Sequence, residues 1–353
     1  MGIADEKLTT GDDPTESVLS KSALHSKSLC DYVINVATGC RHGCKFCYVP
    51  STPAIRARPD MLKEEAGVDA PQKEWGQYVL YRDSIPNRLP GILERKRTWH
   101  QTPHGQGIVG ISFGTDCYMD GRAGEITRQT VQALADHERY ARVLTRNPIL
   151  ALQDLDAFKS AGKYVTIGSS ISSLNAGQVT AIEPRAPGPA HRLRGLKQFA
   201  EHGVNTFVSM SPTYPTLSKP ELRDLLQTIA ECEPDVIFHE PINPRSGNFR
   251  MTVEAARDAG QDELATELDR IRDQTAWLEY SLRQFVWVQQ LGMELELPVH
   301  LWPDSRHLKH TDGQVHDWLQ GWKDRQPPEN FANRPTPENP PPEIPSTLLS
   351  EFG

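Results

Sequence analysis

The sequence predicts an α/β fold, an open partial barrel of about six parallel β/α units followed by a helical C-terminal extension. Residues 107–113 form an apolar run without polar alternation, as expected for a parallel strand buried on both faces, and other short strand-like runs recur between residues 31 and 239. A stretch with helical periodicity follows most of these runs, and such alternation favours right-handed β/α crossovers. The strands are too few for an eight-unit barrel.

The individual elements follow one another in a regular order. Strands are predicted at 31–36, 107–113, 142–145, 164–171, 205–210 and 235–239, with a short extra strand at 76–82. Helices are predicted at 85–97, 125–137, 149–160, 190–202 and 219–232. Residues 251–290 have strong helical character, and 296–302 and 314–322 are a candidate last strand and a last helix. Trp277, Leu278 and Tyr280 have the spacing of a core-facing helical stripe rather than of a base-stacking surface.

Length and composition favour one large domain with two tails. The chain has 353 residues, 37% of them hydrophobic, which is enough for a substantial core. Residues 1–28 are polar and predict a mobile N-terminal segment, 29–245 the core domain, and 246–325 a helical extension packed on it. Residues 326–353 form a proline-rich tail that we expect to be extended and unpacked.

Charge and hydropathy limit the classes of partner and compartment. The net charge of -8 gives no general attraction to a polyanion, so a nucleic-acid substrate would need a local basic face. No run of 18 apolar residues is present, and the first residues lack the apolar core of a signal peptide. Six cysteines, three of them crowded, suit a reducing compartment. We therefore expect a cytoplasmic protein without a membrane partner.

Three crowded cysteines, Cys40, Cys44 and Cys47, form a C-x3-C-x2-C pattern in a loop after the first predicted strand. A structural zinc needs four ligands, and an iron-sulfur cube has four corners, so three thiolates leave one corner open. A small chelating molecule could bind that corner. A zinc site completed by His42 or a distant histidine, and a chance cluster of thiols, remain as alternatives. The cysteine loop lies where barrel enzymes place their chemistry.

Four motifs resemble one enzyme family. They are residues 38–48 (TGCRHGCKFCY), 113–118 (FGTDCY), 144–148 (LTRNP) and 182–187 (IEPRAP). Over about residues 30–245 the chain resembles the radical S-adenosylmethionine (SAM) superfamily, and within it the group similar to spore photoproduct lyase, also described as DNA repair photolyase-like. The resemblance implies a (β/α)6 TIM-like partial barrel of the radical SAM type. It also implies a lyase-like enzyme that cleaves SAM reductively to a 5'-deoxyadenosyl radical, which then takes hydrogen from a substrate.

The resemblance also implies roles for individual residues. Cys40, Cys44 and Cys47 would bind a 4Fe-4S cluster, and the backbone around Phe46 and Tyr48 would meet the adenine of SAM, although the aromatic rings could equally be loop plugs. The rest of the SAM site would be Gly114, Thr115, Asp116, Ser170, Ser172 and Arg185. In that site Asp116 pairs with the methionine ammonium or, alternatively, caps a helix. Arg185 would neutralise the SAM carboxylate or a substrate anion.

Cys117 departs from the family pattern. The group commonly has Thr-Asp-Pro-Tyr where this chain has Thr115-Asp-Cys-Tyr118. Because the S-H bond is weak, we expect that Cys117 could return a hydrogen to the substrate radical and so act as a catalytic residue. The alternative is an ordinary buried thiol packed as a small apolar group.

The substrate is the least determined part of the prediction. A DNA lesion is one candidate, supported by two basic stretches: Arg82, Arg88, Arg95, Lys96 and Arg97, and then Arg192, Arg194 and Lys197. A peptide or small metabolite is the alternative, and a non-catalytic metal-binding protein is a third interpretation. The enzyme would also need an electron donor, a reductase or a flavodoxin- or ferredoxin-type protein.

Overall fold

The computed structural model describes residues 8–27, 29–99, 107–245, 247–325 and 339–344. The strands are β1 (Thr9–Asp12), β2 (Ser20–Lys21), β3 (Tyr32–Ile34), β4 (Ala37–Gly39), β5 (Tyr78–Tyr81), β6 (Val109–Ile111), β7 (Ala141–Leu144), β8 (Val165–Ser170), β9 (Thr206–Thr213), β10 (Val236–Pro241) and β11 (Val299–Leu301).

Helices alternate with these strands through most of the chain. They are α1 (Pro53–Arg56), α2 (Pro59–Ala66), α3 (Ile85–Arg95), α4 (Gly121–Asp136), α5 (Pro148–Ala151), α6 (Leu155–Ala161), α7 (Ala176–Ile182), α8 (Pro189–Glu201), α9 (Lys219–Ala230), α10 (Phe249–Asp258), α11 (Asp262–Arg270), α12 (Gln274–Glu294), α13 (Ser305–Lys309) and α14 (Gly313–Asp324). None of these described helices combines the length and apolar character that a membrane span needs.

The central sheet has the strand order β11-β10-β9-β8-β7-β6-β3-β2. All neighbours from β3 to β11 pair in parallel, and only β2 is antiparallel. Strand β8 is buried at every position, as parallel strands covered on both faces require. The predicted α/β partial barrel with a helical extension is confirmed. Its last parallel strand is β11, which comes from the extension, so the described part of the sheet has one parallel strand more than the predicted six.

The N-terminal segment is ordered where the structure describes it, so the prediction of a mobile lead-in is wrong for residues 8–27. Strand β1 pairs in parallel with β5, which also pairs with β4 to form a small second sheet. Strand β2 pairs with β3 at the edge of the central sheet. These strands are short and polar, and pairing partners distant in sequence stabilise them. Residues 1–7 lie outside the described residues.

A short 3-10 helix, Ala23–Lys27, lies between the first and last parallel strands of the partial barrel. The Lys27 carbonyl accepts a 2.9 Å hydrogen bond from the indole N–H of Trp302, directly after β11. The Lys27 ammonium lies 2.5 Å from the Glu240 carboxylate at the end of β10. The N-terminal segment thus links β3, through β2, to the opposite edge of the sheet.

The C-terminal extension packs on the core through α12. Trp277 and Tyr280 are 2% and 0% exposed, which confirms the prediction of a core-facing stripe. Part of the proline-rich tail is also packed: the Gln289 side chain donates a 2.8 Å hydrogen bond to the Asn339 carbonyl, and Ile344 contacts the core. The prediction of an unpacked tail is therefore wrong for residues 339–344, while 326–338 and 345–353 lie outside the described residues.

Candidate active site

A cavity of about 490 Å³ opens at the carboxyl ends of the parallel strands. It is lined by residues of the cysteine loop after β4, of the segments after β6 and β7, and of the ends of β8, β9 and β10. These ends meet on one side because the strands are parallel and adjacent in the sheet. Of the predicted site residues, the lining includes Cys40, Cys44, Phe46, Cys47, Tyr48, Gly114, Thr115, Asp116 and Ser170.

The cysteine loop is held by backbone contacts from two directions. Gly39 has a φ of +88° and no room for a Cβ against the Tyr78 backbone, so only glycine fits there. The Lys45 N–H donates a 2.8 Å hydrogen bond to the Ile182 carbonyl. From the other side, the buried Asn248 side chain donates a 2.5 Å hydrogen bond to the Cys47 carbonyl. The extension that contains Asn248 therefore stabilises the loop directly.

The three thiols fit the donor set of an iron-sulfur cluster. Burial raises the pKa of Cys44 to about 12 and that of Cys47 to about 11, which favours the neutral thiols where no cation is bound beside them. Among the described residues, no group of three or more His, Cys, Asp or Glu side chains is arranged to hold one metal ion. In an iron-sulfur cluster each thiolate binds a different iron, so the three sulfurs need not surround a single metal position.

Among the described residues His42 does not form a group with the cysteines around one metal position, which argues against a zinc site that includes it. Its Nδ1 lies 3.2 Å from the Arg185 carbonyl, and its Nε2 lies 3.4 Å from Asp116 Oδ2. The imidazole thereby links the cysteine loop to the IEPRAP motif and to the segment after β6. A cluster with three protein ligands and one corner available to a small molecule fits these residues better than a four-ligand zinc site.

Asp116 lines the cavity and accepts hydrogen bonds from three neighbouring residues. Its Oδ1 accepts hydrogen bonds from the Tyr118 N–H at 2.9 Å and from the Thr145 hydroxyl at 2.7 Å, and its Oδ2 accepts one from the Arg146 N–H at 2.7 Å. Burial alone would raise the pKa of Asp116, but His42 and these donors hold it well below its ordinary value. The carboxylate is therefore ionised. It is not a helix cap, because Asp120 caps α4.

Gly114 and Thr115 are fixed beside the cysteine loop. The Gly114 N–H donates a 2.8 Å hydrogen bond to the Asn35 side chain, and a Cβ on Gly114 would lie only 3.0 Å from the same amide. The Thr115 hydroxyl donates to the Gly39 carbonyl at 2.5 Å. These two contacts join the segment after β6 to Asn35, directly after β3, and to Gly39, the last residue of β4.

Arg146 is a cavity residue to which the sequence interpretation gave no role, although it lies within the LTRNP motif. Its guanidinium carbon lies 5.3 Å from the centroid of the Phe46 ring, within the range of a cation–π contact. Its Nε donates a 2.6 Å hydrogen bond to Glu183 Oε2, which also accepts one from Arg192 at 2.7 Å. Burial would raise the pKa of Glu183, but Arg192 and Arg146 lower it to about 2.

The structure places three predicted site residues outside the cavity lining. Ser172 is buried, and its hydroxyl lies 3.5 Å from Glu183 Oε1. The guanidinium of Arg185 lies against Gly43 and Gly76, behind the cysteine loop. Cys117 is fully buried, and its thiol donates to the Leu144 carbonyl at 3.5 Å. The side chain of Arg146, rather than that of Arg185, reaches the cavity wall.

The position of Cys117 allows a prediction. If the chain is the SAM-cleaving enzyme that the resemblance implies, Cys117→Ala should keep cluster absorbance, SAM cleavage and product distribution at parent values, because the thiol does not line the cavity. The free energy of unfolding should fall by about 1 kcal/mol through lost packing. Thermal unfolding and product analysis check both expectations. More by-products quenched from solvent in this variant would instead support Cys117 as the hydrogen donor.

The predicted basic faces are smaller than the sequence suggested. Arg82 is buried and donates to the Asn35 and Ser17 carbonyls. Arg192 is 1% exposed and belongs to the Glu183 contact. The ammonium of Lys96 lies 4.7 Å from the centroid of the Tyr32 ring. Arg88, Arg95, Arg97, Arg194 and Lys197 are exposed.

Two relatives match part of the chain. An uncharacterised protein of Acidianus two-tailed virus is 28% identical over 229 residues, which is 63% of this chain and 71% of the viral protein. An uncharacterised protein of Methanocaldococcus jannaschii is 26% identical over 209 residues, 59% of this chain and 68% of that one. Neither description names an activity.

Solved structures of spore photoproduct lyase have a similar fold. A variant with dinucleoside spore photoproduct matches with a TM-score of 0.51 and 16% identity, over 71% of this chain and 66% of the lyase. A second variant, with bound AdoMet and the same photoproduct, matches with a TM-score of 0.50 and 16% identity over the same shares. This chain thus spans just under two thirds of the lyase, and at this identity the likeness shows a shared fold.

A family profile covers most of the barrel. The profile described as Radical SAM superfamily matches residues 34–229, more than half of the chain. This range includes the three cysteines, the segment with Asp116 and the Arg146–Glu183 contact. Together with the parallel partial barrel and the cysteine-lined cavity at its carboxyl end, the match shows that the chain belongs to the radical SAM superfamily, a superfamily of enzymes.

Proposed function

We propose that this enzyme holds a 4Fe-4S cluster with Cys40, Cys44 and Cys47 and cleaves SAM reductively. The observation that supports the proposal is that the three thiols share one cavity with the buried carboxylate of Asp116 and the guanidinium of Arg146. When bound, the cluster and SAM supply a 5'-deoxyadenosyl radical after transfer of one electron. A reductase or a flavodoxin- or ferredoxin-type protein is the proposed electron donor.

The cavity residues have complementary tasks in this proposal. SAM has an ammonium and a carboxylate on its methionine portion. The ionised Asp116 attracts the ammonium, and Arg146 receives the carboxylate. Ser170 offers a hydroxyl to the ribose or methionine portion from the end of β8. The backbone around Phe46 and Tyr48 meets the adenine. Apolar walls such as Leu144 and Trp302 exclude water from the radical.

A DNA lesion is the proposed substrate, in a lyase-like repair reaction. A lyase with a similar fold has been solved with a dinucleoside photoproduct, which supports this proposal. At the rim of the cavity, Tyr48 is 49% exposed and Arg245 is also exposed. An exposed ring can stack on a base turned out of the duplex, and a cation can bind the adjacent phosphate. Lys27 also lines the cavity, but its ammonium is paired with the Glu240 carboxylate, so Arg245 is the cation that the proposal uses.

A peptide or small metabolite is the second candidate, and one observation favours it. Two of the arginines expected to form a basic surface, Arg82 and Arg192, are buried and bonded internally. With a net charge of -8, the protein then has less local positive surface for a polyanion than the sequence suggested.

Binding of ultraviolet-irradiated duplex DNA separates these candidates. We expect affinity to fall with salt, because each phosphate neutralised contributes a log-log slope near -0.9. Arg245→Glu should weaken binding and reduce the slope by about 1. Arg272→Glu, at an exposed arginine outside the cavity lining, is the control and should have a smaller effect. Fluorescence anisotropy at several salt concentrations measures this. Salt-independent binding, or equal losses in both variants, would favour the peptide or metabolite.

A further inference from the structure

Glu183 lies behind the cavity wall and is not itself part of the lining. Its carboxylate is buried and ionised, and one oxygen, Oε2, accepts from both Arg146 at 2.6 Å and Arg192 at 2.7 Å. Arg192 is in turn fixed, since it also donates to the Ser170 carbonyl at 2.9 Å and the Pro187 carbonyl at 2.6 Å. The carboxylate is therefore anchored from the side remote from the cavity.

Arg146 depends on this anchor for its position. Its backbone N–H is bonded to Asp116, but its long side chain has several rotatable bonds and would lose considerable freedom on binding a ligand. The Glu183 contact and the Phe46 ring hold the guanidinium in the cavity wall before any ligand arrives. A pre-positioned cation binds an anion more tightly than one that must first be ordered.

The segment with Glu183 also contacts the cysteine loop. The Ile182 carbonyl accepts from the Lys45 N–H at 2.8 Å, and the Arg185 carbonyl lies 3.2 Å from His42 Nδ1. These two residues flank Glu183 in sequence, at distances of one and two positions. A shift of the Glu183 carboxylate is thus coupled geometrically to the loop as well as to Arg146.

From these contacts we propose that Glu183 is a positioning residue for the bound SAM, acting through Arg146. Its carboxylate orients the guanidinium that receives the SAM carboxylate, and its negative charge balances the two arginines beside the cysteine loop. This inference rests on the proposed function, since it names the residue that prepares the same site. The role proposed for Glu183, orienting Arg146, differs from the direct anion contact that the resemblance implied for Arg185 in the same IEPRAP motif.

A double-mutant cycle with the reconstituted full-length protein tests the proposal. Glu183→Asp keeps the charge but withdraws the carboxylate by one methylene group, and it should raise the Kd of SAM about tenfold with cluster absorbance unchanged. Arg146→Gln should raise the Kd as well. In the Arg146→Gln background, Glu183→Asp should add no further increase, because the two residues act as one unit. Equilibrium dialysis with SAM measures all four affinities.

Glu183→Gln separates charge from position by a second measurement. It keeps the shape but removes the negative charge, so the reduction potential of the cluster should shift in the positive direction. Glu231→Gln removes the exposed carboxylate that pairs with Lys197 on the protein surface and should leave the potential at the parent value. A potentiometric titration followed by electron paramagnetic resonance gives both values.

The outcomes distinguish this inference from the proposed function. A parent protein that binds no SAM would overturn both. If the parent binds SAM, an unchanged Kd in either single variant overturns the positioning role alone. The same holds if Glu183→Asp raises the Kd equally with and without Arg146, since a purely structural defect acts in both backgrounds. If Glu183→Asp does not fold, an unshifted potential in Glu183→Gln contradicts the charge-balancing part.

Discussion

Replacing Cys44 by alanine should abolish both the roughly 400 nm absorbance of the reconstituted protein and the formation of 5'-deoxyadenosine, because a second iron then has no protein ligand. The effect should be all-or-none, and the same holds for Cys40 and Cys47. Absorbance spectra and product chromatography after anaerobic reconstitution and reduction measure it.

Cys232→Ala is the matched control for the cysteine variants. Cys232 is also a buried thiol, but it bonds to the Leu193 carbonyl and does not line the cavity. The Cys232→Ala variant should retain the parent absorbance spectrum and the parent rate of 5'-deoxyadenosine formation. A Cys44→Ala protein that still makes 5'-deoxyadenosine at the parent rate would show that the three-cysteine assignment is wrong.

After the cysteine variants, Asp116→Asn should have the second largest effect on SAM cleavage. Both carboxylate oxygens accept a backbone N–H, from Tyr118 and from Arg146, so an amide group in either orientation turns its NH₂ toward a donor. Loss of one buried acceptor should lower the free energy of unfolding by about 1–3 kcal/mol. Displacement of Arg146 and loss of the negative charge should reduce SAM cleavage about 100-fold, equivalent to about 2.7 kcal/mol.

Asp120→Asn provides the comparison for Asp116→Asn. Asp120 caps α4 only four positions away, and asparagine is an equally good N-cap. The Tyr81 hydroxyl that donates to the second Asp120 oxygen can rotate and accept from an amide, so this variant should keep parent SAM cleavage and lose less stability than Asp116→Asn. Equal losses in the two variants, measured by thermal unfolding and by product formation, would mean that Asp116 has no special place in the site.

The parallel strands and the helices between them could be predicted, because burial of such elements leaves a regular pattern of residue types in the sequence. Strand β6 lies in an apolar run, residues 107–113, and the helices between the strands have end caps and an apolar periodicity that the local sequence shows. The N-terminal strands have no such pattern. Strand β2 has only two residues, and β1 has no apolar side chain, so both depend on partners that local sequence does not identify.

The cysteines, Asp116 and Ser170 could be placed at one site because strand ends of a parallel sheet meet there. Arg146 and Glu183 could not be linked from the sequence, since the contact joins residues 37 positions apart. For Arg192 a signal existed: it falls on the apolar stripe of α8 together with Leu193, Leu196 and Phe199. A cation on such a stripe indicates a buried ion pair rather than a solvated basic face.

The proposed function depends on one claim, that the cysteine loop leaves one iron open to SAM within the cavity. Electron paramagnetic resonance of the reconstituted, reduced protein with and without SAM tests this claim most directly. A ligand that binds an iron of the cluster changes its spectrum, so we expect the signal to shift when SAM is added. A cluster signal that is identical with and without saturating SAM would contradict the claim.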